Sequence, residues 1–292
     1  MKTISLFFPI IIIVNFFLEN SYGQYSSLPE NELIDVWDAE KVRARGPILI
    51  AHRGGVVGKG IPECSRLAVR MAAVNRYDMI ELDVQETKDH HPVVFHDRNM
   101  KNACGLDKRI ADFSLEELSG INFLNSEETI SSLDSIFSLC RSLNLGVMFD
   151  IKQGGRSDLY FERIQAIVDK YGMEKACMTI GDADVQERLK GKALQTMTDN
   201  MLDMLKKGKA IDLHGYYWFG VPADWPMELI MPVQENGGLV IPALNIFRYS
   251  EEGHRAEARV DAERLLKAGV DGFQIDCVYQ DYFGRAKVQE VK

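Results

Sequence analysis

The chain alternates between short, wholly apolar runs and longer segments whose apolar residues recur at helical spacing. Residues 48–51 (Ile-Leu-Ile-Ala) are apolar throughout, as in a strand buried on both faces. Similar runs predict strands over 79–84, 91–95, 146–151, 176–180, 194–197, 214–218, 239–244 and 272–275. Between them, helical periodicity predicts helices over 62–75, 132–143, 157–171, 182–190, 199–207, 225–236 and 255–268. A loosely helical stretch over 32–45, ended by Pro47, is placed across the bottom of the domain. The pattern lapses over 101–128 except at a short helix, 114–119, where Ser114 and Glu117 stand at capping-box positions.

About eight strand–helix units without a linker predict an α/β fold: a (β/α)8 TIM barrel with a small insertion after the second strand region. A doubly wound open sheet is the alternative, but no glycine-rich dinucleotide turn follows the first run with the required spacing.

The apolar runs end in charged residues. His52 and Arg53 follow the first run, Glu81 and Asp83 lie in the second, and His96 and Asp97 follow the third. Parallel barrels deliver reactive groups at these strand ends. Glu81 and Asp83 flank Leu82, so both face one side of a strand. Two carboxylates inside a barrel repel each other and lose hydration unless a cation joins them. Oxygen ligands suit Mg²⁺ or Ca²⁺ better than Zn²⁺. Ordinary salt bridges at a solvent-facing strand end are the bland alternative. Asp150 and Lys152 repeat the pattern at another strand end, as a third metal ligand and a phosphate contact or as a plain ion pair. Two imidazoles at neighbouring strand ends could share general acid–base work, since both titrate near neutral pH.

Composition narrows the classes. Of 292 residues, 46% are hydrophobic and 26% charged, which excludes a disordered chain. The formal net charge of -9 gives no sign of a nucleic-acid binder. Residues 1–23 read as a cleaved secretory signal: Lys2, an apolar run over 6–18, then Ser21-Tyr22-Gly23. The protein is therefore expected to be secreted or periplasmic, with 24–292 as one catalytic domain. An uncleaved anchor is the alternative. Five cysteines (Cys64, Cys104, Cys140, Cys177, Cys277) show no CxxC or zinc spacing. They are either up to two disulfides, with Cys104 the best candidate, or buried thiols.

The motifs H-R-G-G, P-E-C-S, I-E-L-D-V-Q-E-T-K-D, P-V-V-F-H-D and F-D-I-K, in this order, resemble the glycerophosphodiester phosphodiesterase family. I-A-D-F-S-L-E-E-L-S-G resembles its insertion helix and G-V-D-G-F-Q-I-D its closing strand, so the resemblance runs over 48–276. It implies a TIM-type barrel that hydrolyses a phosphodiester with a divalent cation, Ca²⁺ or Mg²⁺. It implies His52 and His96 as the catalytic pair, Arg53 and Lys152 as phosphate contacts, and Glu81, Asp83 and Asp150 as metal ligands. His52 is taken as base and His96 as acid, an assignment the sequence does not force.

The implied substrate is a small phosphodiester from a deacylated phospholipid, with membrane contact possible but not indicated. The sequence departs from the family at three places. Cys64 replaces the asparagine of P-E-N-T, losing a polar contact. Asp150 replaces a glutamate. P-A-L-N (242–245) replaces W-T-V-N, so an aromatic wall is missing or comes from Tyr216, Trp218 or Phe247. Two alternatives stay open: a phospholipase D-like or lysophospholipase-type enzyme on choline phospholipids or sphingomyelin, and a catalytically silent binding barrel. The lipid-cleaving alternative needs an apolar lip, for which 219–226 is the candidate.

Overall fold

A computed structural model describes residues 32–152, 156–220 and 226–285. The proposed export segment, Trp225 and most of the candidate lip lie outside the described residues. Ten strands form one sheet: β1 (Ile48–Ala51), β2 (Met79–Glu86), β3 (Pro92–Val94), β4 (Ser131–Ser132), β5 (Gly146–Ile151), β6 (Cys177–Ile180), β7 (Leu194–Thr196), β8 (Tyr216–Gly220), β9 (Leu239–Leu244) and β10 (Gly272–Ile275). The order β1-β10-β9-β8-β7-β6-β5-β2 is parallel throughout, and β1 pairs with both β10 and β2, so eight strands close a barrel. The fold is the expected (β/α)8 TIM barrel.

The period-2 alternation of the strands divides the core in two. Ile48, Ile50, Met79, Met148, Met178, Tyr217, Leu239 and Ile241 fill the barrel interior. Leu49, Ala51, Ile80, Leu82, Val147, Phe149 and Phe273 face outward and pack against the helices. Ile34, Val36 and Val42 close the interior from below, with the Val36 amide bonded to the Lys175 carbonyl and Trp37 Nε1 to that of Glu174. That places the N-terminal segment across the bottom, as its composition suggested, although its helix is confined to Ala39–Arg45.

The insertion is a branch of β2. Its last residues, Val84 to Glu86, pair antiparallel with β3, which pairs with β4. Residues between β3 and β4 build a separate small core from Phe95, Met100, Ile110, Leu118 and Phe123. The Ser114–Glu117 capping box forms as read.

Two local expectations are corrected. The helix placed over 62–75 spans Arg66–Val74, because Cys64 has φ 58° and Ser65 is the N-cap, accepting from the Ala68 amide. Cys104 does not bridge: all five cysteines are free and buried. Burial pushes the Cys104 thiol up to about 11.

Candidate active site

The chain turns sharply after β1. Arg53 has φ 54°, and Gly54 and Gly55 continue with φ 80° and 140°. The turn is tight because the segment 63–65 crosses it, with the Cys64 amide donating to the Arg53 carbonyl (2.9 Å). A Cβ on Gly54 would lie 2.7 Å from the Cys64 Cα, and one on Gly55 2.2 Å from the Ala68 carbonyl oxygen. Glycine is therefore required at both positions of H-R-G-G. The turn aims the Arg53 amide into the barrel, where it donates to Glu81 Oε2 at 2.8 Å.

Glu81 and Asp83 point inward from β2, continuing the row begun by Met79. Asp83 is the Cα partner of Asp150 on β5, so their side chains emerge at one level. The carboxylate oxygens of Glu81, Asp83 and Asp150 lie within 4.8 Å of one another. Lys152 Nζ reaches Asp83 Oδ1 at 2.6 Å and Asp150 Oδ2 at 2.7 Å. Burial, then the charges of Asp83 and Asp150, push the Glu81 carboxyl well above its ordinary range despite the Arg53 amide and Lys152. Burial would lower the Lys152 ammonium, but Asp83 and Asp150 outweigh it and raise it.

Each candidate histidine is backed by carboxylate at Nδ1. His52 Nδ1 lies 2.7 Å from Asp276 Oδ1, with the Asn245 amide at 3.1 Å, and its Nε2 faces Glu81 at 3.9 Å. Burial would raise Asp276. The hydrogen bond and charge of His52, the Ile246 amide (2.6 Å) and Arg53 reverse this, and the carboxyl ends below its ordinary value. His96 Nδ1 lies 2.9 Å from Asp97 Oδ1 and 3.7 Å from Glu63 Oε1. A carboxylate only accepts, so Nδ1 carries the proton in both rings and Nε2 is left for chemistry. Gln85 fixes the His96 turn by donating to the carbonyls of Phe95 (2.6 Å) and Asp97 (2.9 Å).

Arg53 is half-committed. One Nη donates to Glu63 Oε2 at 3.0 Å, while the buried Nε has no hydrogen-bond partner. An unpartnered buried guanidinium N–H at this position suits an anionic oxygen. The acidic trio likewise suits a hard cation, since three carboxylates share one ammonium and Glu81 resists ionisation without further positive charge.

All seven residues singled out in the sequence converge on one end of the barrel. Four others were not assigned roles there. Asp276 and Asn245 back His52 from the ends of β10 and β9. Gln85 and Glu63 brace His96. Asp276 had a local signal, an apolar strand ending in a carboxylate, like Asp150. Glu63, Gln85 and Asn245 lie within motifs quoted above (P-E-C-S, I-E-L-D-V-Q-E-T-K-D and P-A-L-N), but only the closed barrel shows that they stand beside the histidines.

Among the departures, Cys64 keeps a weak contact: its Sγ lies 3.6 Å from Asp83 Oδ2. Burial and the Asp83 charge push this thiol well up, so it stays protonated and able to donate. Of the aromatic candidates, Trp218 and Tyr216 pack in the outer core between barrel and helices. Phe247 is at the mouth, 61% exposed, with its ring centroid 6.4 Å from that of His52.

A sequence profile described as the Glycerophosphoryl diester phosphodiesterase family matches residues 52–179. A glycerophosphodiester phosphodiesterase of Caldanaerobacter subterraneus subsp. tengcongensis is 29% identical over 247 residues, 78% of this chain and 93% of that protein. Glycerophosphodiester phosphodiesterase 1 of Rattus norvegicus is 33% identical over 202 residues, and the match spans 60% of its length. Among solved structures, an Oleispira antarctica phosphodiesterase in complex with the product sn-glycerol-3-phosphate superposes with a TM-score of 0.62. That match has 17% identity and covers 83% of this chain and 97% of that one.

Proposed function

Since the chain belongs to the glycerophosphoryl diester phosphodiesterase family, we propose that it hydrolyses glycerophosphodiesters to glycerol 3-phosphate and an alcohol by paired-histidine catalysis. The observation that carries the reading is the pair of carboxylate-backed imidazoles, with a buried arginine N–H and a charged carboxylate cluster between them.

His52 Nε2 takes a proton from the attacking water as its oxygen bonds to phosphorus. The phosphorus–oxygen bond to the leaving alcohol breaks, and His96 Nε2 gives its proton to that oxygen. The water thus ends in the phosphate monoester and the proton in the alcohol. In the acid role His96 acts as the imidazolium, with Nδ1–H held on Asp97 and the second proton on Nε2. Arg53 and Lys152 hold the phosphoryl oxygens and offset the charge growing on them. Glu81, Asp83 and Asp150 would hold a divalent cation, Ca²⁺ or Mg²⁺, which when bound supplies Lewis-acid stabilisation of the phosphoryl group.

We keep the export segment, 1–23, and a single catalytic domain over 24–292 as parts of this reading. N-terminal sequencing of exported protein tests the cleavage. A catalytically silent barrel is disfavoured because acid, base and phosphate contacts are all present.

The deciding experiment incubates purified protein with glycerophosphocholine and glycerophosphoinositol and measures released glycerol 3-phosphate. EDTA is expected to abolish release, and Ca²⁺ or Mg²⁺ to restore it. Release that survives EDTA removes the metal assignment, and absence of release under every cation removes the activity.

A further inference from the structure

A polar cavity of about 520 Å³ opens beside His96, over the end of β5, between the turn after β3 and the segment after β6. It is ligand-sized. Its three carboxylates are already engaged. Asp97 accepts from His96 Nδ1 (2.9 Å) and Asp150 from Lys152 Nζ (2.7 Å). Asp182 accepts from the Val185 amide with one oxygen (3.2 Å) and from Arg156 Nη1 with the other (2.6 Å). Arg156 is engaged at its other groups too, donating Nε to the Lys152 carbonyl (3.2 Å) and Nη2 to that of Ile151 (3.0 Å). With His96 as the imidazolium of the acid role, each carboxylate of the lining has its own cation. Arg98 is left over. It lines the same cavity, is exposed, and makes no hydrogen bond or ion pair among the described residues.

The backbone that carries Arg98 is fixed on both sides. Before it, Gln85 holds the carbonyls of Phe95 and Asp97. After it, the Met100 side chain is buried and the Met100 amide donates to the Lys108 carbonyl (2.9 Å). The facing wall is fixed as well. A Cβ on Gly181 would lie 2.5 Å from Val185 Cγ1, and Asp182 caps the helix Ala183–Arg188. Both walls are thus set before a ligand enters, so the ordering cost of an ion pair at Arg98 falls mainly on its own side chain.

Resting on the hydrolytic reading above, we infer that Arg98 is a specificity-determining residue for the leaving alcohol, favouring alcohols that bear an anionic group. The acid role puts the leaving oxygen at His96 Nε2, so the departing alcohol extends into the cavity that His96 lines. There the unengaged cation is Arg98. A guanidinium fork pairs with a carboxylate or with a phosphate, so either anion on the alcohol satisfies it. An alcohol without an anion leaves Arg98 to solvent and gains nothing from it.

The test uses two matched pairs of substrates and measures released glycerol 3-phosphate. Glycerophosphoserine and glycerophosphoethanolamine differ only by a carboxylate, and glycerophosphoinositol 4-phosphate and glycerophosphoinositol only by a phosphate. The anionic member of at least one pair is expected to have the higher kcat/KM by about fivefold, as for a well-formed exposed ion pair. The gain should appear mainly in KM and shrink as salt is added. The pair that shows it identifies the anion as carboxylate or phosphate. Arg98→Gln is expected to bring the ratio close to one, Arg98→Lys to keep part of it, and Arg98→Glu to invert it. Hydrolysis with a ratio near one in both pairs overturns the inference and leaves the activity standing. A preference that survives Arg98→Gln and Arg98→Glu overturns Arg98 as its source. No hydrolysis of any of the four substrates overturns the underlying activity instead.

Discussion

The two ends of this barrel bury the same kind of group in opposite ways. At the bottom, Asp78 and Asp271 are nearly inaccessible, yet each has its own arginine and strand amide. Asp78 accepts from the Leu49 amide (2.9 Å) and Arg45 (3.4 Å). Asp271 accepts from the Val240 amide (2.8 Å), Arg43 Nε (2.9 Å) and Gln234 (3.1 Å). At the top, Glu81, Asp83 and Asp150 share a single ammonium, Lys152. Burial raises Asp78 and Asp271 above their ordinary value, whereas Glu81 is raised well beyond it, first by burial and then by the charges of Asp83 and Asp150. The bottom pairs stitch the N-terminal segment to the strands. The top is a concentration of negative charge that the fold tolerates rather than satisfies. What separates the two sets of buried carboxylates is the number of cations per carboxylate, not burial itself.

Variants at the two ends can break or sharpen this contrast. The largest effect belongs to the top and to catalysis: His52→Ala or His96→Ala should lower kcat/KM by about 10³-fold with an unchanged thermal midpoint, checked by steady-state assay and calorimetry. A comparable loss of stability would mean that the histidines hold the fold. The largest stability effect belongs to the bottom. Asp271→Ala leaves Arg43 without its carboxylate and should cost about 3 kcal/mol in a urea titration, with kcat little changed. Next comes Asp276→Asn, which keeps the shape but removes the charge behind His52. It should reduce kcat by about 10²-fold and move the pH–rate profile, whereas a purely structural role would leave the profile in place.

The smallest and most diagnostic effect is that of Glu81→Gln. A carboxyl whose folded value lies above its ordinary one binds its proton more tightly in the native state. Without divalent ions, wild-type stability should therefore fall as pH rises from about 4.5, the ordinary Glu value, through the raised one. Glu81→Gln should remove that fall and raise the midpoint at neutral pH by a few degrees, roughly 2–4 °C per kcal/mol. Asp276 carries the opposite sign, since its lowered value adds stability that is lost only as pH drops through it. A Glu81→Gln protein less stable than wild type would show that the top carboxylates are as well satisfied as those below.

Much of this was legible in the chain because it is local. Apolar runs mark the strands and capping serines mark several helix starts, and alternation along the strands puts Glu81, Asp83 and Asp150 on inward faces. Helix starts failed where a special backbone overrode periodicity, as at Cys64, whose left-handed conformation delays the helix to Arg66. The substrate wall also failed: Tyr216 and Trp218 are aromatic residues on a strand, but their register turns them toward the helices.

By itself, then, the sequence determined the alternating elements, the barrel they imply, and the charged residues at their ends, because each of these depends on neighbours a few positions away. Only the tertiary structure decided which carboxylate backs which histidine. Asp276 meets His52 from 224 positions along the chain, through closure of β10 onto β1. It also decided that Asp78 and Asp271 are neutralised while Glu81 is not, and that a polar cavity opens beside His96. These depend on distances across a closed barrel and on burial, which no local pattern of residues encodes.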